Sequence, residues 1–290
     1  MPSGLTARWS GPRRMEAAAD EAGQNAAQSR AAAELSALLA IAQRDVIKLL
    51  RDRPRLAVNL AFPVLLIAGL GGLLQATVGR VTGLSTITLS FTGVLAASLF
   101  QSAAAGMISI VEDRENDFSR ELFVAPVSRL TLLAGKIAGE GAVAVCQGIC
   151  IVIFAIAFGV RMTGIQALGL AAAGLTCCLL GAAFGLATIA ALPNQRSAMQ
   201  IFQFLIIPQY VLGGVLVPLA GAPRLLGALA WLMPMRYCVD LTRALFYAGT
   251  AGYRQVVTGG PALDLAVIAL LTIALLSAGA ALFSYRERVR

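Results

Sequence analysis

Histidine is absent from the chain. That removes the commonest metal ligand and the commonest general base near neutral pH. Charge is scarce as well. Charged residues make up 13% of the sequence, where a soluble globular domain carries about a quarter. The cysteines number five, an odd count. Cys146, Cys150, Cys177 and Cys178 stand inside apolar runs and fit neither a zinc site nor a disulfide framework, so they read as small apolar residues. Aromatics, at 7%, are too few for a closely spaced sugar track. A nucleotide loop is also missing. "AGKIAG", Ala134–Gly139, approaches one, but Leu130 holds the place of the early glycine and Ile137 the place of the Ser or Thr after the lysine. Neither a Gly-x-Ser-x-Gly elbow nor an acid pair deep in an apolar run occurs. The expectation is a chain with no catalytic residues, no metal and no cofactor of its own.

What remains is apolar. The hydrophobic fraction is 58% over 290 residues, and the mean hydropathy is +0.78. These values predict an all-α integral membrane protein. A spanning helix needs about 20 apolar residues. Six stretches qualify: Leu56–Gly79, Leu84–Val111, Ile137–Val160, Ile165–Leu192, Ala198–Leu219 and Ala262–Phe283. Glu140 and Asp264 lie near the ends of their spans, where a cap or an interfacial ion pair is expected rather than a proton relay.

The net charge of +8 and pI near 9.8 do not indicate nucleic acid, because the basic residues flank apolar runs and form no single basic face. They report topology. Arg44, Lys48, Arg51, Arg53 and Arg55 precede the first span; Arg114, Arg120, Arg129 and Lys136 lie between the second and third; Arg286, Arg288 and Arg290 follow the last. The alternate links are lighter, with Arg80 and Arg161. Both termini are therefore expected on the cytoplasmic side. Arg224, Arg236, Arg243 and Arg254 dissent, in a long link where the rule is weak.

The expected organisation is a disordered cytoplasmic tail over 1–33 and a six-span domain over 34–290. Within that domain, 34–54 is a basic amphipathic helix. Leu35, Leu38, Leu39, Ala42, Val46 and Leu49 recur at helical spacing, and Pro54 ends the run. Residues 208–260 are broken by Pro208, Gly213, Gly214, Pro218, Pro223 and Pro234, which reads as a re-entrant turn. A short helix with Trp231 follows, then an amphipathic helix from about Arg236 to Tyr247. There Asp240 can pair with Arg236 or Arg243. Gln75, Gln101, Gln147, Gln200, Gln203 and Gln209 either bond across helices or line a wet path; Gln101, Gln200 and Gln203 are the candidates for a substrate path. "GAAFG", Gly181–Gly185, has the spacing of a close helix contact.

One segment is densely charged: "VEDRENDFSRELFVAPVSRLTLLAGK", Val111–Lys136. It resembles the cytosolic loop of type-2 ABC exporter permeases, the group that includes drug and daunorubicin-type and polysaccharide-export permeases. Asp113, Arg114, Glu115, Phe118, Arg120, Glu121, Ala125, Pro126, Val127, Ser128, Arg129, Gly135 and Lys136 fit that loop. Asp117 stands where glycine is usual, and Ser119 where leucine is usual. The later segment is similar to the family's external re-entrant stretch through Gly213, Gly214, Pro218, Pro223, Pro234, Tyr237, Asp240 and Arg243.

The resemblance implies a permease subunit of an ATP-driven exporter in a bacterial cytoplasmic membrane. It implies two ATPase subunits, with ATP and magnesium held there, and a second permease subunit, an identical copy being favoured. It also implies that 112–129 is a coupling helix seated on the ATPase. Phe118, Leu122 and Phe123 would supply its apolar anchor, and Arg114, Glu115, Arg120 and Glu121 its charged contacts. Gly213, Gly214, Pro218, Trp231, Pro234, Tyr237, Asp240 and Arg243 would form an external gate. Membrane lipids are a further partner, and the scarcity of aromatics favours an amphiphilic small molecule or lipid-like substrate. The alternative, an ion-coupled secondary transporter, calls for internal repeats and a midplane ionisable residue, and neither stands out. A lipid-modifying enzyme would need clustered acids, histidines or a nucleophile.

Overall fold

A computed structural model of the chain describes residues 34–49, 51–73, 85–109, 111, 129–190, 192, 194–216 and 223–289. Every regular element among them is helical. Helix α1 covers 34–49. Helix α2, Arg53–Leu65, contains Pro63 and widens into a π-helical turn over Leu66–Leu70. Proline lacks the N–H that would close the regular ladder, and a π turn absorbs the mismatch. Then come α3 (Thr86–Gly106), α4 (Arg129–Ala157), α5 (Gly164–Ile189) and α6 (Gln195–Leu212). The short helices α7 (Arg224–Trp231), α8 (Pro234–Phe246) and α9 (Tyr253–Val256) precede the long α10 (Pro261–Val289).

Local sequence sets several starts. Ser85 caps α3 by accepting from the Thr88 N–H. Thr163 and Gln166 form a reciprocal capping box on α5. The Asn194 side chain accepts from Ser197 N at 2.8 Å at the head of α6, and Pro234 occupies the first turn of α8. Gly214, at φ +67°, provides the left-handed turn that carries the chain out of α6.

Among the described residues five helices are long and apolar enough to cross a membrane: Leu56–Leu73, Thr86–Gly106, Leu133–Ala157, Gly164–Ile189 and Tyr253–Leu282. These correspond to five of the six expected spans. The remaining one, Ala198–Leu219, corresponds to α6, an 18-residue helix diluted by Gln200, Gln203, Gln209 and Pro208. Its expected end, 217–219, lies outside the described residues, as do the tail 1–33, residues 112–128 and Pro218.

Helix α3 is the hub. It is uncharged, and from Ser90 to Phe100 every residue is buried. It lies against α5 at the GAAFG stretch. A Cβ on Gly181 would fall on the Phe100 backbone, and one on Gly185 on the Ala104 backbone. The small-residue spacing therefore marks a true helix contact. The two ends of α3 meet different partners. Near its start, a Cβ on Gly93 would fall on the Val215 carbonyl and the Arg243 guanidinium; at its end, Gly106 lies under the Glu140 carboxylate. Helices α7–α9 thus sit at one end of α3, and α1 with the start of α4 at the other. Gln147 on α4 donates to the Asn59 carbonyl of α2 at 2.9 Å, one of the glutamines that bond across helices.

Gly185→Ala pushes a methyl into the α3 backbone, and overpacking of this kind costs about 1–3 kcal/mol. Gly141 faces open space. Unfolding in detergent is expected to show a loss of that size for Gly185→Ala and almost none for Gly141→Ala.

Candidate functional site

The first polar centre joins α1 to α4. Gly135 and Gly139, one helical turn apart, let α1 lie close across α4. A Cβ at Gly135 would come 3.2 Å from Ile41 and 3.3 Å from Leu38; one at Gly139 would come 3.1 Å from Ala42. The stretch that fails as a nucleotide loop is therefore the seat of the amphipathic helix. Between the two glycines, Lys136 Nζ donates to Asp45 Oδ2 at 2.8 Å and faces Glu140 Oε1 at 3.3 Å. Ser109, just beyond the end of α3, has its Oγ 3.4 Å from the same Glu140 oxygen. Arg44 Nη2 lies 3.3 Å from Asp45 Oδ1. Asp45, Lys136 and Glu140 are all buried. Taking these charges out of water is costly, and close pairing offsets the cost.

Glu140 thus takes part in the ion pair expected of it. Asp45 was not legible as its partner's partner. It is one of three acids, with Glu34 and Asp52, in a segment read for its basic residues, and nothing in α1 alone points to Lys136, 91 positions away.

The second centre is at the opposite end of α3. Of the residues expected in an external gate, Gly213, Gly214, Asp240 and Arg243 line one small cavity with Arg236, Val239, Val256 and Thr258. Tyr237 donates its hydroxyl to the Trp231 carbonyl at 2.7 Å, and the Arg236 guanidinium stacks 3.8 Å from the centre of the Trp231 ring. Pro234 opens α8, and the Met235 N–H just after it donates to Gln209 Oε1 at 3.2 Å. Pro218 lies outside the described residues.

Two details differ from the sequence reading. Helix α8 is amphipathic in pattern, yet Met235 through Ala244 are all buried, so it is embedded between other helices rather than laid on a surface. And Asp240 is not ion-paired to Arg236 or Arg243 among the described residues. Its Oδ1 accepts from Thr258 N at 2.9 Å and its Oδ2 from Gly259 N at 2.6 Å. Arg243 turns instead to Val215 O, with Nη2 at 3.1 Å. Burial lowers the Arg243 guanidinium from 12.5 to about 10, with Asp240 and Tyr247 pulling it back up, so it stays charged at neutral pH. A buried α8 has spare backbone N–H groups and carbonyls on either side, and those, not the neighbouring side chains one turn away, take up its charges.

The candidate path residues do not converge. Gln101 is half-buried and accepts from the Tyr210 hydroxyl at 2.6 Å, tying α3 to α6. Gln200 and Gln203 stand on the exposed face of α6 and make no hydrogen bond to Gln101. The coupling residues Arg114, Glu115, Phe118, Arg120, Glu121, Leu122 and Phe123 lie outside the described residues.

Lys136→Met would leave Asp45 and Glu140 buried without their shared cation. Removing one partner of a buried pair costs about 3–5 kcal/mol. Adding Asp45→Asn to Lys136→Met is expected to restore part of that loss. Denaturant unfolding of the three variants in detergent measures it, and simple additivity of the two losses would rule the pairing out.

The sequence pattern of the ABC-2 type transporter family matches residues 36–247. The chain is also similar to the ycf38 protein of Cyanophora paradoxa, provisionally named a transport permease. The two are 24% identical over 213 residues, 72% of this chain and 73% of that protein. The matched span runs from α1 to the end of α8 and so contains the first polar centre and the α6 and α8 residues of the second, with Val256, Thr258 and Gly259 beyond it. With five apolar helices of spanning length and a family pattern over most of its residues, the chain belongs to the ABC-2 type transporter family, as a multi-pass membrane permease.

Proposed function

We propose that this permease is the membrane subunit of an ATP-driven exporter, moving an amphiphilic small molecule, drug or lipid-like substrate out of the cytoplasm. Permeases of this family normally work with an ATPase partner, so ATP and magnesium belong to that second chain. In this reading two ATPase copies dock on residues 112–129, a second copy of the permease completes the path, and α6 counts as a sixth span. The termini face the cytoplasm, and the membrane is the bacterial cytoplasmic membrane.

The observation that carries the reading is the placement of the charged segment's borders. Residues 112–128 connect α3 to α4, and Ser109, just before them, meets Glu140, which stands about three turns into α4. The same cluster holds α1 through Lys136 and Asp45. A docked partner that displaced the segment would therefore act on α3, α4 and α1 together. Phe118, Leu122 and Phe123 supply apolar contact for such a partner, and Arg114, Glu115, Arg120 and Glu121 supply charge. At the other end, the elements around Trp231, Tyr237, Asp240 and Arg243 close the outer mouth. Gln200 and Gln203, polar and exposed on α6, suit a wet path between two copies better than a lipid-facing surface.

Glu115→Ala combined with Phe118→Ala is expected to leave insertion intact and uncouple the partner's ATP hydrolysis from transport. A well-expressed double variant that exports normally would remove the coupling role. Single cysteines at Trp231 and Tyr237 are expected to change in accessibility with the nucleotide state of the partner. Labelling rates identical with and without ATP would count against the gate.

A further inference from the structure

Asp240 and Asp264 come together where α8 meets the start of α10. Asp240 is 5% exposed and Asp264 1%. Both carboxyl groups converge on Gly259. A Cβ there would stand 3.0 Å from Asp264 Oδ1 and 3.3 Å from Asp240 Oδ2, so the two carboxyl groups face the same point. The other Asp264 oxygen, Oδ2, is buried and has no hydrogen-bond partner. Among the described residues no arginine nitrogen lies within ion-pair distance of either group: Arg243 Nη2 is turned to Val215 O, and Arg236 Nη2 to the Thr258 hydroxyl at 3.4 Å.

Two ionised carboxylates cannot share such a place. Buried like charges at close range are strongly unfavourable, and the usual resolution is that one group keeps its proton and donates it to the other. A metal ion is the competing way to neutralise the pair, and the surroundings disfavour it. The Thr258 and Gly259 N–H groups already point at Asp240, and donors aimed into a site repel a cation.

We propose that Asp240 and Asp264 bind a single proton between them, and that this proton fastens α8 to the last long helix. The groups around it are known. From α8 the pair is faced by Arg236, Tyr237 and Cys238, with Arg243 one turn further on. The connection before α10 contributes the Thr258 and Gly259 backbone. From α5, which also packs on α8 and α10, Cys177 and Cys178 lie behind Cys238. The two arginines limit the field at the pair without contacting it. Loss of the proton sets two anions against each other at the α8–α10 contact. That contact is therefore intact at low and neutral pH and weakens as the pH rises, the sign expected when folding retains a proton.

Infrared spectra of the purified full-length chain in nanodiscs, taken across a pH series, test this directly. The wild type is expected to show the carbonyl stretch of a protonated carboxyl at neutral pH, shifted by isotope-labelled aspartate and lost on alkaline titration. Asp264→Asn, whose amide can still donate to Asp240, is expected to lose the band and to hold its Tm where the wild-type Tm falls. A neutral-pH wild type without the band overturns the proposal, and so does a band that persists in Asp264→Asn. A Tm raised by added sodium or calcium in the wild type, and not in Asp264→Asn, assigns the site to a metal ion and overturns it equally. The labelled wild type decides the matter alone if the variant does not fold.

Discussion

The contact between the backbones of α3 and α5 is the constraint on which the rest of this permease depends. Gly181 and Gly185 bring α5 onto Phe100 and Ala104 with no side chain between. In a membrane, apolar helices gain nothing from leaving one lipid-like surface for another, so association rests on close van der Waals fit. A hub of this kind must be small-featured and free of charge, and α3 is both. Everything charged is displaced to its ends. Glu140 lies over Gly106 at one end, and Arg243 lies beside Gly93 at the other.

The two ends solve the same problem with different chemistry. At the α1 end a buried lysine is shared by two carboxylates on different helices. The geometry is that of an ion cluster whose members come from α1 and α4, with Ser109 from beyond α3 close by. At the α8 end, charges are held mostly by backbone. Asp240 takes the N–H groups of Thr258 and Gly259, and Arg243 takes the carbonyl of Val215. Backbone partners exist there because α6 ends at Gly213 and Gly214 and α10 begins only at Pro261, and chain outside the helices has groups that regular helix would have consumed.

That difference decides what could be read in advance. Apolar length and helical period locate the spanning helices, because lipid leaves a helix no alternative. The close-contact glycines are local in sequence and do bring α5 onto α3, and Thr163 and Asn194 cap their helices from adjacent positions. Partnerships across sequence are not local. Asp45 pairs with Lys136 because two glycines let α1 approach α4, a fact of packing and not of either segment alone. Pairing Asp240 with an arginine one turn away is sound for an isolated, exposed helix. It gives way because α8 is embedded and the backbone before α10 offers better-placed donors. Gly213, Gly214, Asp240 and Arg243 nevertheless line one cavity. Bonding and exposure split Gln101 from Gln200 and Gln203.

In the proposed reading, force applied by an ATPase partner at one end of the permease must change contacts at the other. The fold offers a route made of packing. The α1–α4 cluster grips the end of α3, the close α3–α5 contact leaves no soft layer, and the start of α3 presses on Val215 and Arg243. Closely packed interiors transmit displacement rather than absorb it, so a shift of α3 by a fraction of its contact distance must move Val215 or break its bond to Arg243. The Gln101–Tyr210 bond ties α6 to the same rod. In the proposed reading the mechanical element is thus the uncharged α3, and the polar residues matter because they fix what its two ends hold.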